Sequence, residues 1–134
     1  MRPLACDMVL IENGKVLLIR RAREPFMGEW AIPGGRIEDD ETAEGCAKRE
    51  MKEETSLDVE VIRLIGLYSD PARDPRGMIA AGYLVRRVGG AVRAGDDAAE
   101  ARWYPLDKLP KLCADHAKIL ADAISAMKTM KKQD

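Results

Sequence analysis

The segment 41–57, Glu-Thr-Ala-Glu-Gly-Cys-Ala-Lys-Arg-Glu-Met-Lys-Glu-Glu-Thr-Ser-Leu, constrains this chain more than any other stretch. Its spacing predicts a helix from about Glu41 to Thr55, with acid near the N-terminus where the helix dipole favours it and Asp40 as the expected cap. On such a helix Glu50, Glu53 and Glu54 fall within about 100° of arc. Ala43, Cys46, Ala47 and Leu57 share that side, while Glu44, Lys48 and Lys52 take the opposite one. The carboxylates therefore lie on the small, inward-leaning face. Like charges at helical neighbours cost about 0.2–0.5 kcal/mol per pair when exposed, and more when desolvated. A cation offsets that cost most directly. With oxygen ligands and no nearby His or Cys pair, the matching ion is hard, Mg²⁺ or Mn²⁺ in its place. Mg²⁺ held by few carboxylates keeps water positions open, which suits phosphate chemistry.

The rest of the chain must supply a scaffold for that helix. Leu4–Ile11 and Lys15–Arg21 read as strands joined by a tight turn at Asn13-Gly14, a pair that tolerates positive φ. Glu29–Ile32 is a short extended stretch, stopped by Pro33-Gly34-Gly35. Further strands are expected at Asp58–Tyr68, Met78–Arg87 and Ala101–Tyr104, with turn-rich loops at 70–77 and 89–97. Leu112, His116, Ile119, Leu120, Ala123, Ile124 and Met127 form an amphipathic helical stripe that would cover a sheet, and 128–134 reads as a frayed polar tail. His116 on that stripe reads as a packed histidine, not a metal ligand. The pattern predicts one α/β domain over residues 1–134, with helices on a mixed β-sheet.

Composition removes other classes. With 134 residues the chain can bury a core without metal or disulfide staples. Lys plus Arg number 22 and Asp plus Glu 23, for a net charge of −1, so no broad basic field invites nucleic acid. No apolar run reaches bilayer-spanning length, and charge interrupts the N-terminal residues too early for a signal peptide. Cys6, Cys46 and Cys113 are odd in number and widely spaced, which argues against a disulfide framework and for a cytoplasmic protein.

From Gly35 to Leu57 the chain resembles the signature of the Nudix (MutT-like) hydrolases, Gly-x5-Glu-x7-Arg-Glu-U-x-Glu-Glu-x-Gly-U, where U is aliphatic. Gly35, Glu41, Arg49, Glu50, Met51, Glu53, Glu54 and Leu57 fit; Ser56 stands where the family has glycine. Gly28-x-Trp30-x-x-Pro33-Gly34-Gly35 is similar to the usual lead-in. The resemblance implies a Nudix-type α/β/α sandwich and Mg²⁺-dependent hydrolysis of a nucleoside diphosphate derivative. It implies metal ligation by Glu50, Glu53, Glu54 and the Gly35 carbonyl, with Arg49 and Glu41 orienting the carboxylates. The general base would be Glu53 or Glu100, the latter expected in a loop. Ser56, just past the helix, is expected in the left-handed conformation at a cost of about 1 kcal/mol relative to glycine.

Tyr68-Ser69-Asp70-Pro71-Ala72-Arg73-Asp74-Pro75-Arg76-Gly77 resembles a run found in many Nudix ADP-ribose pyrophosphatases, although Met78 stands in place of its closing histidine. That likeness favours ADP-ribose, cleaved to AMP and ribose 5-phosphate, with Arg73 as a substrate contact; Arg21, on the second strand, lies where some Nudix relatives place a phosphate-contacting arginine and is a second expected contact. Nucleoside triphosphates, including oxidised ones, are the alternative; a non-catalytic nucleotide sensor is a third reading, which the intact acid set disfavours. Phe26, Trp30, Tyr83 and Trp103 are each able to stack on a base. The partner implied is a small-molecule nucleotide, not nucleic acid or membrane, and relatives in the ADP-ribose group allow a homodimer.

Overall fold

The computed structural model describes residues 1–95 and 98–133. Its elements run β1 (Leu4–Glu12), β2 (Lys15–Arg21), β3 (Trp30–Ala31), β4 (Gly34–Arg36), α1 (Ala43–Thr55), β5 (Asp58–Tyr68), β6 (Ile79–Gly89), β7 (Ala98–Pro105) and α2 (His116–Gln133). The strand order is β3-β2-β1-β6-β5, with β4 added on β1 and β7 on β2. β1 runs parallel to β6 and antiparallel to β2 and β4, so the sheet is mixed. Residues 5–10 of β1 are buried on both faces, which explains why its sequence is apolar there except at Asp7.

The two faces are covered by different helices. Met8, Leu10 and Leu17 pack with Cys46, Ala47 and Met51 of α1. Their neighbours Val9, Val16 and Leu18 pack with Ile119, Leu120 and Ala123 of α2. The period of two along each strand thus splits the core into two layers around one sheet. This is the expected α/β/α sandwich.

Several local expectations need correction. The N-cap of α1 is Thr42, not Asp40: its Oγ1 accepts from the Gly45 N–H at 3.0 Å. A start two residues later frees Glu41 from the helix, and its carboxylate reaches back to Arg49. β4 went unpredicted because Gly34-Gly35 carries no strand propensity; its place comes from pairing with Ala5, Cys6 and Asp7. β7 begins three residues earlier than expected, since its register with β2 extends to Arg20↔Glu100 and Arg21↔Ala98. Residues 128–133 continue α2 instead of fraying, and Lys131 and Lys132 in its last turn suit the negative end of the dipole. Asn13 and Gly14 do take positive φ, 52° and 73°. No described helix is long and apolar enough to cross a membrane.

Candidate active site

α1 carries its acids where two segments press on it. Glu50 is 8% exposed and Glu54 5%, whereas the Glu53 side chain is 48% exposed. The Gly34 N–H donates to Glu54 Oε2 at 3.2 Å. A Cβ at Gly35 would overlap the Glu50 carboxyl group, so only glycine lets β4 lie this close to the helix. At the other end, the Gly95 N–H donates to the Glu54 carbonyl at 2.9 Å and the Arg93 N–H to the Thr55 carbonyl at 2.8 Å. Those bonds satisfy carbonyls that a helix C-terminus leaves open. Asp96 and Asp97 lie outside the described residues.

Arg49 organises the cluster. Its guanidinium donates to Glu41 at 2.6 and 2.9 Å, to Glu50 at 2.7 Å, to Glu53 at 3.1 Å and to the Arg36 carbonyl at 3.0 Å. The Arg49 hydrogen bonds hold Glu41 down to about 2 from an ordinary 4.5. Reciprocally, Glu41 above all raises the arginine. The structure thus brings together Arg49 and Glu41, the two residues that the resemblance gives an orienting role.

The Gly35 carbonyl has neighbours that sequence reasoning missed. The Cys6 and Cys46 thiols each lie 3.7 Å from it, and Cys46 also approaches the Arg36 carbonyl at 3.5 Å. The hydrogen bond from Cys46 and burial push the Cys6 thiol well above its usual range, so it stays neutral. The two cysteines are forty residues apart by subtraction of their numbers, and the packing of α1 against β1 brings them together.

Other predicted residues fall elsewhere. Glu100 is on β7, not in a loop, opposite Arg20 and next to Arg102, with ion pairs of 3.5 and 2.9 Å. Alternation puts it on the same side as Tyr104 and Val16, the α2 side, away from the helix acids. Arg102 also lies 5.6 Å from the Trp30 ring, and Trp30 meets Tyr104 edge-on. Tyr83 is in the core beneath α1, which removes it as a stacking surface.

Arg73 is placed inside the protein. Its side chain is 3% exposed and donates to Asp115 at 2.6 and 2.9 Å and to the Met78 carbonyl at 3.1 Å. It ties the 69–78 loop to the start of α2, so it does not present a free guanidinium at the surface. Asp74 shapes the same loop: burial pushes it up, but the Met78 and Arg76 N–H groups and the Arg76 guanidinium bring it below its usual value. Arg2 braces the loop from outside through the Gly77 and Ser69 carbonyls, at 2.9 and 2.7 Å.

Arg21 lines a cavity of about 60 Å³ beside Gly34 and Gly35, together with Arg36, Arg76 and Phe26. The Arg21 Nε donates to the Pro25 carbonyl at 2.7 Å. His116 forms part of this cavity's floor, and its Nδ1 accepts the Ile32 N–H at 3.0 Å. Burial lowers the histidine, so the ring is neutral, with its proton on Nε2.

Among the described residues, no three Asp, Glu, His or Cys side chains converge on a metal position; Arg49 bridges Glu50 and Glu53 instead. The donor set nonetheless fits a hard divalent cation: carboxylates on one helix face, two of them buried, with the Gly35 backbone held against one of them.

A family model described as NUDIX domain matches residues 1–123. The chain belongs to the Nudix family. It is 47% identical over 120 residues to an ADP-ribose pyrophosphatase of Methanocaldococcus jannaschii, covering 89% of this chain and 71% of that protein. A MutT/nudix family protein of Enterococcus faecalis superposes with a TM-score of 0.88 at 31% identity, over 96% of this chain and 63% of that one. An ADP-ribose pyrophosphatase of Streptococcus suis does so with a TM-score of 0.81 at 26% identity, covering 95% and 92%. The protein is thus a Nudix hydrolase, and such enzymes generally use divalent metals such as Mg²⁺ or Mn²⁺.

Proposed function

We propose that this Nudix hydrolase cleaves the pyrophosphate of ADP-ribose to AMP and ribose 5-phosphate, with Mg²⁺, or Mn²⁺ in its place, as cofactor. The observation that carries the substrate is the 47% identity to an ADP-ribose pyrophosphatase across 89% of the chain. Glu50, Glu53, Glu54 and the Gly35 carbonyl would hold the ion. When bound, it would offset charge on the pyrophosphate and make water a stronger acid.

The chain's own residues do the rest. Arg49 holds the Glu50 and Glu53 carboxylates through opposite charge, and Glu41 fixes Arg49 in turn. Of the two candidate bases, Glu53 is the better placed. It is half exposed on the acid face, where its free oxygen can take a proton from an attacking water. Glu100 is engaged with Arg20 and Arg102 on the other face, and we assign it no proton transfer. Arg21 and Arg36 beside Gly35 give the adjoining cavity a positive wall suited to phosphate oxygens. Arg73 acts as a positioning residue: it holds the 69–78 loop that closes this cavity. The testing experiment is a panel of nucleotides with Mg²⁺ and identification of both products. AMP plus ribose 5-phosphate is the expected pair. Cleavage of nucleoside triphosphates with ADP-ribose left intact would overturn the substrate.

A further inference from the structure

Among the described residues, Asp7 is a buried acid that the scheme above leaves without work. It lies on β1 and is 7% exposed, yet its side chain lines the cavity beside Gly34 and Gly35. The Arg73 Nη2 cation and the neutral His116 Nε2 are each 3.7 Å away, too far for a direct hydrogen bond. Among the described residues, none donates a hydrogen bond to its carboxylate. The position is built for it. A Cβ at Gly34 would overlap Asp7 Oδ1, so glycine is what leaves room for this acid one residue from the Gly35 carbonyl.

Burying a carboxylate without donors is costly, and burial accordingly raises Asp7 above its usual value. A ligand bringing O–H groups would supply the donors. Beside Asp7, His116 offers the complementary atom, since Nδ1 is occupied by the Ile32 N–H and the Nε2 proton faces the acid. One acceptor and one donor side by side match neighbouring sugar hydroxyls, each of which both donates and accepts. The Arg21 and Arg36 side chains at the same cavity supply positive charge for an attached phosphate.

We infer that Asp7 and His116 form the floor of a subsite for the sugar phosphate beyond the scissile pyrophosphate, with Asp7 accepting from its ring hydroxyls. This inference rests on the ADP-ribose reading, and it makes Asp7 a specificity-determining residue. Substrates without a hydroxylated group at that end would leave the Asp7 carboxylate unmatched.

The test is calorimetric binding of ribose 5-phosphate, 2-deoxyribose 5-phosphate and inorganic phosphate to the full chain without metal. Ribose 5-phosphate is expected to bind about 10-fold or more tightly than its deoxy analogue, a difference that Asp7→Asn abolishes. Phosphate affinity should change less than about 2-fold in Asp7→Asn, because the arginines remain. In turnover, the variant should raise KM for ADP-ribose far more than it lowers kcat, whereas general loosening of the fold would reduce kcat for every nucleotide alike. His116→Asn, whose Oδ1 can still accept the Ile32 N–H, should keep the melting temperature while weakening ribose 5-phosphate. Equal affinity for the two sugar phosphates on the wild-type chain would overturn the subsite, and that arm needs no variant to fold. Sugar discrimination without ADP-ribose cleavage would support the subsite and remove the substrate reading. Cleavage of ADP-ribose without discrimination would do the reverse.

Discussion

Glu54 is a carboxylate at 5% exposure, with the Gly34 N–H on one oxygen and Glu50 one helical turn away. A glutamine there keeps an acceptor for Gly34 and removes a buried charge. Glu54→Gln is therefore expected to fold and to be at least as stable as wild type in metal-free buffer, by thermal melting. If Glu54 is a metal ligand, kcat should fall by more than the roughly 10–100-fold typical of groups that only orient ligands. Undiminished turnover by this variant, or by wild type in excess EDTA, would remove the metal from the scheme. Ser56 gives a second residue-scale test. It has φ 67° and ψ 13°, the left-handed cap read from its position, and its Oγ donates to the Arg93 carbonyl at 3.2 Å. Glycine would relieve about 1 kcal/mol of strain and lose an exposed hydrogen bond of comparable worth. Ser56→Gly should thus stay within about 0.5 kcal/mol of wild type, while Ser56→Ala, which keeps the strain and loses the bond, should be about 1 kcal/mol less stable. Denaturant midpoints in the opposite order would contradict this account of the cap.

At the scale of elements, two joints should respond differently to substitution. Glu41 and Arg49 join the turn before α1 to its inner face. The folded Glu41 value of about 2 lies below the ordinary 4.5, so its stabilisation is complete above the latter and is lost as pH falls toward the former. Acid titration of stability between those limits should be shallower in Glu41→Gln; an unchanged slope would show that the pair does not stabilise the fold. Arg73, 3% exposed, joins the 69–78 loop to the start of α2 through the partly exposed Asp115, with the buried Asp7 and Asp74 each 3.7 Å from its guanidinium. Removing one partner of a buried pair strands the other, so Arg73→Ala should cost about 3–5 kcal/mol by chemical denaturation. A cost below 1 kcal/mol would mean that water or a neighbour replaces the guanidinium. The sequence placed Glu50 and Glu54 on the buried face of α1 because carboxylates on a small-residue face are incongruous within one local period; Glu53, expected beside them, is 48% exposed. The sequence did not place Arg73 or Glu100. Whether a loop arginine turns inward, and which face a strand residue takes, depends on partners far along the chain: Asp115 for the one, the β2–β7 register for the other.

For the molecule as a whole, the sandwich was legible since hairpin, strand and helix periods agree with one another along most of the chain. The cavity was not. Asp7, Gly34 and His116 come from β1, β4 and α2, each unremarkable in its own segment, and they meet only once β4 pairs with β1 and α2 covers the sheet. The central claim is that this assembly is a Nudix hydrolase directed at ADP-ribose instead of nucleoside triphosphates. The most direct measurement is the ratio of kcat/KM for ADP-ribose to that for 8-oxo-dGTP at saturating Mg²⁺. A ratio above one, with AMP and ribose 5-phosphate as products, is the predicted result; a ratio well below one would contradict it.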